Sequence, residues 1–207
     1  MRGPRRGGGP ILLLMFILTA CGGGNEGGGD PLLPETPTLQ VACEPDAPVP
    51  PGQSLTVQCG SVNGSVLTVD IVATDTPAAE PVVSAVMDLD LSSRSGSLGL
   101  QLRSCTPGPA LGSSGELLVD CTVPSGSPHE LLAVVSRQGL GPGVTVTGSQ
   151  TVLSLQFDVV GLGTAGVVFV KPNDPTGSAL LRRNPSDPTD LQTIGGIAFA
   201  GGEVSGS

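Results

Sequence analysis

The stretch TVLSLQFDVV, Thr151 to Val160, decides the fold class. Leu153, Leu155, Phe157 and Val159 alternate with Ser154, Gln156 and Asp158. Side chains of a strand point to opposite faces in turn, so this order makes one apolar and one polar face. A helix would scatter both sets around its circumference. The reading is a half-buried β-strand.

The same period recurs on both sides of this stretch. In QSLTVQC, Leu55, Val57 and Cys59 share a face, with Ser54, Thr56 and Gln58 opposite. SVLTVDIVA aligns Leu67, Val69, Ile71 and Ala73. VVSAVMDLDL aligns Val83, Ala85, Met87, Leu89 and Leu91 against Ser84, Asp88 and Asp90. LGLQLRSC places Leu98, Leu100 and Leu102 together. ELLVDCTV, ELLAVVS, GVVFVK and the closing IGGIAFAGGEVS complete about nine strands, separated by turn signals. No stretch combines a helical period with caps. Many short strands without helices point to an all-β antiparallel sandwich, packed inside and wet outside.

Composition agrees with a turn-rich β domain. The chain has 207 residues, 32 of them glycine and 20 proline, and no Trp or Tyr. Three phenylalanines, Phe157, Phe169 and Phe199, lie beyond the N-terminal segment. Arg2, Arg5 and Arg6 precede Cys21, where no acid occurs; the remainder holds six basic residues against 18 acids, a net charge near −12. That balance argues against binding nucleic-acid phosphates.

The N-terminus reads as an export signal. The three arginines form a basic region, and Ile11 to Ala20 is a ten-residue apolar run. A bilayer span needs about 20 such residues. Leu18-Thr19-Ala20-Cys21 resembles the bacterial lipobox, which implies that Cys21 is acylated and becomes the mature N-terminus. Gly22 at the next position implies outer-membrane delivery if the source is Gram-negative. Six glycines between Gly22 and Asp30 make a flexible tether, extended by three prolines between Pro31 and Pro37. The expected organisation is a signal peptide over 1–20, a tether over 21–38 and a β domain over 39–207.

An exported domain permits disulfides. Of the three pairings of Cys43, Cys59, Cys105 and Cys121, the sequential one joins Cys43 to Cys59 and Cys105 to Cys121, each across an expected hairpin. There is no Cys-x-x-Cys, and His129 is the one histidine, which does not make a zinc site.

Catalytic patterns are weak. GLGTAG, Gly161 to Gly166, fits G-x-G-x-x-G, but a strand pattern follows it, where a dinucleotide site needs a helix N-terminus. It reads as a glycine-rich turn. His129 stands beside Pro128 in a turn and reads as solvated. Asp88 and Asp90 share a strand face, as carboxylates on any wet face do. The expectation is a protein that is not an enzyme. Between Lys171 and Asp190, Asn173, Asp174, Asn184, Asp187 and Asp190 offer oxygen ligands for Ca²⁺, although Asn-Pro and Asp-Pro are ordinary turn chemistry and no D-x-D-x-D-G loop is present.

Taken in order, these patterns resemble cohesin domains from about Leu39 to Ser207. PPGQSLTVQC looks like their opening strand. VVSAVMDLDLSSRSGSLGLQLRSCTPGPAL resembles their amphipathic strand and the segment after it. TGSQTVLSLQFDVVGLGTAGVVFV resembles the signature strand, glycine turn and short strand, and GGIAFAGGEVSGS the closing strand. LSSRSG stands where the family has an aromatic-Asp-Pro triplet, and no partner contact is carried over. The resemblance implies a jelly-roll-like sandwich that binds a protein partner, a dockerin or another. A polysaccharide ligand is the alternative, since cohesins are related to carbohydrate-binding modules; the lack of aromatic platforms for sugar rings weighs against it. A structural envelope lipoprotein without a dedicated ligand is the third reading.

Overall fold

A computed structural model describes residues 41–45, 52–161, 166–172 and 177–206, with 41–45, 114, 166–169 and 171–172 described by backbone alone. The signal peptide, the tether, Cys21, Asn173, Asp174 and the domain start at 39 lie outside the described residues.

Fourteen strands are described. They are β1 (Val41–Pro45), β2 (Ser54–Asn63), β3 (Val66–Thr74), β4 (Ser84–Asp90) and β5 (Ser93–Ser95). After these come β6 (Gly99–Pro107), β7 (Leu117–Thr122), β8 (Glu130–Arg137), β9 (Ser149–Val160) and β10 (Gly166–Pro172). The last four are β11 (Ala179–Asn184), β12 (Asp187–Thr193), β13 (Ala198–Ala200) and β14 (Gly202–Gly206). Two single 3₁₀ turns, Pro109–Leu111 and Ser114–Glu116, fill the connection from β6 to β7.

One sheet has five strands in the order β13-β2-β3-β9-β6. Its pairs are antiparallel except β13, which runs parallel to β2. The other has nine, with the path β1-β14-β10-β4-β11-β12; β5 joins β10, β8 joins β4, and β7 joins β8. On the edge of β4 away from β8, two strands lie end to end. Lys171 of β10 pairs with Asp90, and Ala179 to Leu181 of β11 pair with Val86 to Ser84.

The apolar faces named from the sequence meet in the middle. Leu55, Leu67, Val69, Ile71, Leu153, Leu155 and Phe157 come from one sheet, and Ala85, Met87, Leu89, Leu131, Val135 and Leu180 from the other; all are buried. A bulge lies between Ile71 and Val72, so that Ile71 pairs with Leu153 and Val72 with Thr151. The extra residue, Val152, is buried as well.

All nine expected strands form, and the antiparallel sandwich stands. The strand count differs for two reasons. The closing segment divides at Gly201, and its halves enter different sheets. Three short edge pieces, β1, β5 and β12, and the strand β11 carry too few alternating apolar residues to stand out. The stretch read as a ligand loop thus contains a hairpin, β11–β12. Leu180, fully buried, anchors it to the core.

Cys105 and Cys121 are bonded, with Cα atoms 6.5 Å apart. The bond does not close a hairpin: β6 pairs with β9 and β7 with β8, so it joins the two sheets. Cys59 is also disulfide-bonded, and the side chain of Cys43 lies outside the described residues.

Gly161 turns the chain from β9 toward β10. Its φ is +79°, and a Cβ there would stand 2.0 Å from the Ser97 carbonyl oxygen. Backbone geometry, not a phosphate, calls for glycine at the head of GLGTAG. The element that follows is the strand β10, as read; residues 162–165 lie outside the described residues.

Candidate interaction face

Three Leu-Leu doublets lie on the nine-stranded sheet: Leu117-Leu118, Leu131-Leu132 and Leu180-Leu181. Neighbours in a strand point to opposite faces, so each doublet must send one leucine outward. Leu117, Leu131 and Leu180 are buried. Leu118 is 59% exposed and Leu132 41%, and Leu181 is half-buried.

Strand register assembles the outer face in rows. Leu118 stands opposite Ser136, which faces Ser84, which faces Leu181. The next row is Asp120, Val134, Val86 and Ala179. The third is Thr122, Leu132 and Asp88, and the fourth Glu130 and Asp90. Directly opposed residues stand about 5 Å apart, so each row is continuous across the strands. The face is apolar through its middle, with Asp120 at its β7 edge, and Asp88, Asp90 and Glu130 gather toward the Asp90 end.

The outer side of β4 was expected to be wet. Instead Ser84 is buried, with its Oγ donating to the Val135 carbonyl at 3.0 Å, and Asp88 is half-buried. The cause is position: β4 lies between β8 on one edge and β10 and β11 on the other.

Arg183 fixes the rim. Its Nε donates to the Gly141 carbonyl at 3.2 Å, one terminal nitrogen to that of Pro188 at 2.7 Å, and the other to that of Gly139. The two glycine carbonyls flank Leu140, which is 65% exposed, and Leu191 pairs with Arg183 across the hairpin. Among the described residues all four strongly exposed leucines, 118, 132, 140 and 191, therefore belong to this face and its rim.

The outer face of the five-stranded sheet carries side-chain hydrogen bonds between β3, β6 and β9. On the five-stranded sheet Arg103 bonds Asp158 at 3.3 Å, Ser104 bonds Gln156 at 3.2 Å, and Ser154 donates to Asp70. On β2 of the same sheet Ser54 and Thr56 are fully buried, with no hydrogen-bond partner for either hydroxyl among the described residues, and Val62 and Val160 are exposed.

The other sequence candidates fall elsewhere. His129 is in an exposed turn before β8, where its carbonyl accepts the Leu91 N–H. Asp90 caps the end of β4, accepting from the Ser92 N–H at 2.8 Å and its Oγ at 3.0 Å. Asn184, Asp187 and Asp190 stand in the β11–β12 hairpin, where their oxygens serve the turn. Asn184 Oδ1 accepts the Ser186 N–H, and Asp187 accepts the N–H and Oγ of Thr189. Asn184 Nδ2 donates to Asp190. The Thr189 hydroxyl, and then its N–H, hold the Asp187 carboxyl below its ordinary pKa. Among the described residues no three His, Cys, Asp or Glu side chains gather as a metal site.

Sequence reasoning did not name the outer face, because a period-2 pattern reports the buried side. The doublets were the available signal.

No family model matches the chain, and no curated protein matches it in sequence. Solved structures do match in shape. CaCohA2 of Clostridium acetobutylicum, in complex with CaDoc0917, is 14% identical, with a TM-score of 0.50 over 72% of this chain and 97% of that one. The seventh ScaB type I cohesin of Pseudobacteroides cellulosolvens is 12% identical, with a TM-score of 0.49 over 72% and 88%. The third ScaC cohesin of Acetivibrio cellulolyticus, in complex with the ScaB dockerin, is 12% identical, with a TM-score of 0.49 over 72% and 96%. The fold of this chain is that of a cohesin-like β-sandwich.

Proposed function

We propose that this chain is a non-catalytic binding module, held at the bacterial cell envelope by lipid on Cys21, that takes a protein partner on the outer face of β7, β8, β4 and β11. One observation carries the reading: among the described residues the four strongly exposed leucines collect on the outer face of the nine-stranded sheet and its rim. Contiguous exposed apolar surface marks interaction sites. Full burial of a leucine gains about 1.5–3 kcal/mol, and Leu118 and Leu132, at 59% and 41% exposure, each still hold a substantial part of that for a partner. CaCohA2, which shares the fold, is itself found in a complex with CaDoc0917. A dockerin-like protein is the partner the reading favours.

The carboxylates of Asp88, Asp90 and Glu130 at one end of the face favour a partner with lysine or arginine there. The test compares envelope proteins captured by the wild-type chain and by a Leu118→Ser/Leu132→Ser variant. A protein retained by the first and lost by the second supports the reading. Identical capture by both would overturn it, and binding to a glycan array with no protein captured would favour a polysaccharide. The anchor is tested separately: Cys21→Ala should move the protein from the membrane to the soluble fraction.

A further inference from the structure

We propose that Asn63–Gly64 is a self-modification site, at which the folded chain converts an asparagine into aspartate and isoaspartate without an enzyme. Four asparagines occur, and Asn63 alone precedes glycine. Asn184 precedes Pro185, which has no backbone N–H to react.

The site is the tip of the β2–β3 hairpin. β2 ends at Asn63, β3 begins at Val66, and these two residues pair. Gly64 has φ +60° and takes the first central position, the arrangement of a type II′ turn. Nothing lies within 4 Å of where its Cβ would be, so no side chain or neighbouring strand packs on the turn at that point. Residues 60–65 are all exposed. A register shift between Cys59 and Val62 leaves only the Val62–Leu67 and Asn63–Val66 pairs beyond it. The far side of the turn is anchored, since the Ser65 carbonyl accepts the Val159 N–H at 2.8 Å. The Asn63 side is held by those two pairs alone, and short ladders past a bulge open locally long before the core does.

The chemistry balances with water alone. The Gly64 backbone nitrogen gives up its proton to solvent and attacks Asn63 Cγ. A C–N bond forms, and the side-chain nitrogen takes a proton back from water and leaves as ammonia, giving a five-membered succinimide. Water then adds to one imide carbonyl and that C–N bond breaks. Opening at the side-chain carbonyl leaves aspartate; opening at the main-chain carbonyl leaves isoaspartate, with the chain running through the former side chain. Either product adds a negative charge to the tip, and isoaspartate also lengthens the backbone by one methylene. The modification lies beyond the bulge, so the rest of the β2–β3 ladder and the core beneath it stay intact.

The experiment incubates the full chain in mildly alkaline buffer at physiological temperature, then digests it and separates the peptides by chromatography and mass spectrometry. The expected result is conversion of the peptide containing Asn63, with the amide-to-acid mass gain and two separable isomers, while the peptides containing Asn173 and Asn184 stay unchanged. Asn63→Gln should abolish the conversion, because its ring would be six-membered. The free peptide SVNGSV sets the time scale. No conversion in the folded chain over the period in which that peptide converts would overturn the proposal, as would equal conversion at Asn173.

Discussion

Cys105 and Cys121 join an edge strand of one sheet to an edge strand of the other. β6 closes the five-stranded sheet on that side, and β7 is held to its own sheet only through β8. The bond therefore closes the open side of the sandwich, beside the strand that carries Leu118 and Asp120.

Replacing both cysteines by alanine should lower unfolding free energy by about 3 kcal/mol, the loop-closure value for a separation near 16 residues. Denaturant titration of the variant and the wild type measures this. A change near zero would mean that packing alone fixes β6 against β7.

Phe157 and Leu132 should separate stability from binding. Phe157 is fully buried and pairs in register with Leu67 and Leu102. Phe157→Ala should cost about 3–5 kcal/mol. Leu132→Ser removes an outward side chain and should shift stability by no more than about 0.5 kcal/mol. Thermal melts of both variants check the contrast.

Gly161→Ala combines a left-handed backbone with a blocked Cβ. The conformational part alone costs about 1–2 kcal/mol, and the clash with the Ser97 carbonyl adds to it. The melting temperature should fall clearly. An unchanged melt would show that the turn can rebuild.

Thr189→Val should raise the Asp187 pKa toward the ordinary carboxylate value, since the Thr189 hydroxyl is the main cause of its depression. The folded pKa lies below the unfolded one. The linked stability is thus present above the unfolded pKa and lost as pH falls through the folded pKa, and the variant should lose most of that dependence. Carboxyl-carbon NMR titration of Asp187 reads the shift directly.

The sequence by itself determined the inward faces. Leu153, Leu155, Phe157 and Val159 alternate in sequence and are all buried, and the same holds for Leu67 to Ala73 and Val83 to Leu91. The reason is local: a strand's period is fixed by its backbone, so the pattern needs no knowledge of the partner strand. The tertiary structure alone decided where those strands go. Ala198–Ala200 and Gly202–Gly206 are neighbours in the chain but lie in different sheets, and Cys105 meets Cys121 between sheets rather than within a hairpin. Both depend on pairings between residues far apart in sequence. The candidate face depends on them too, because Leu118, Val134, Val86 and Leu181 become one surface only when β7, β8, β4 and β11 lie side by side.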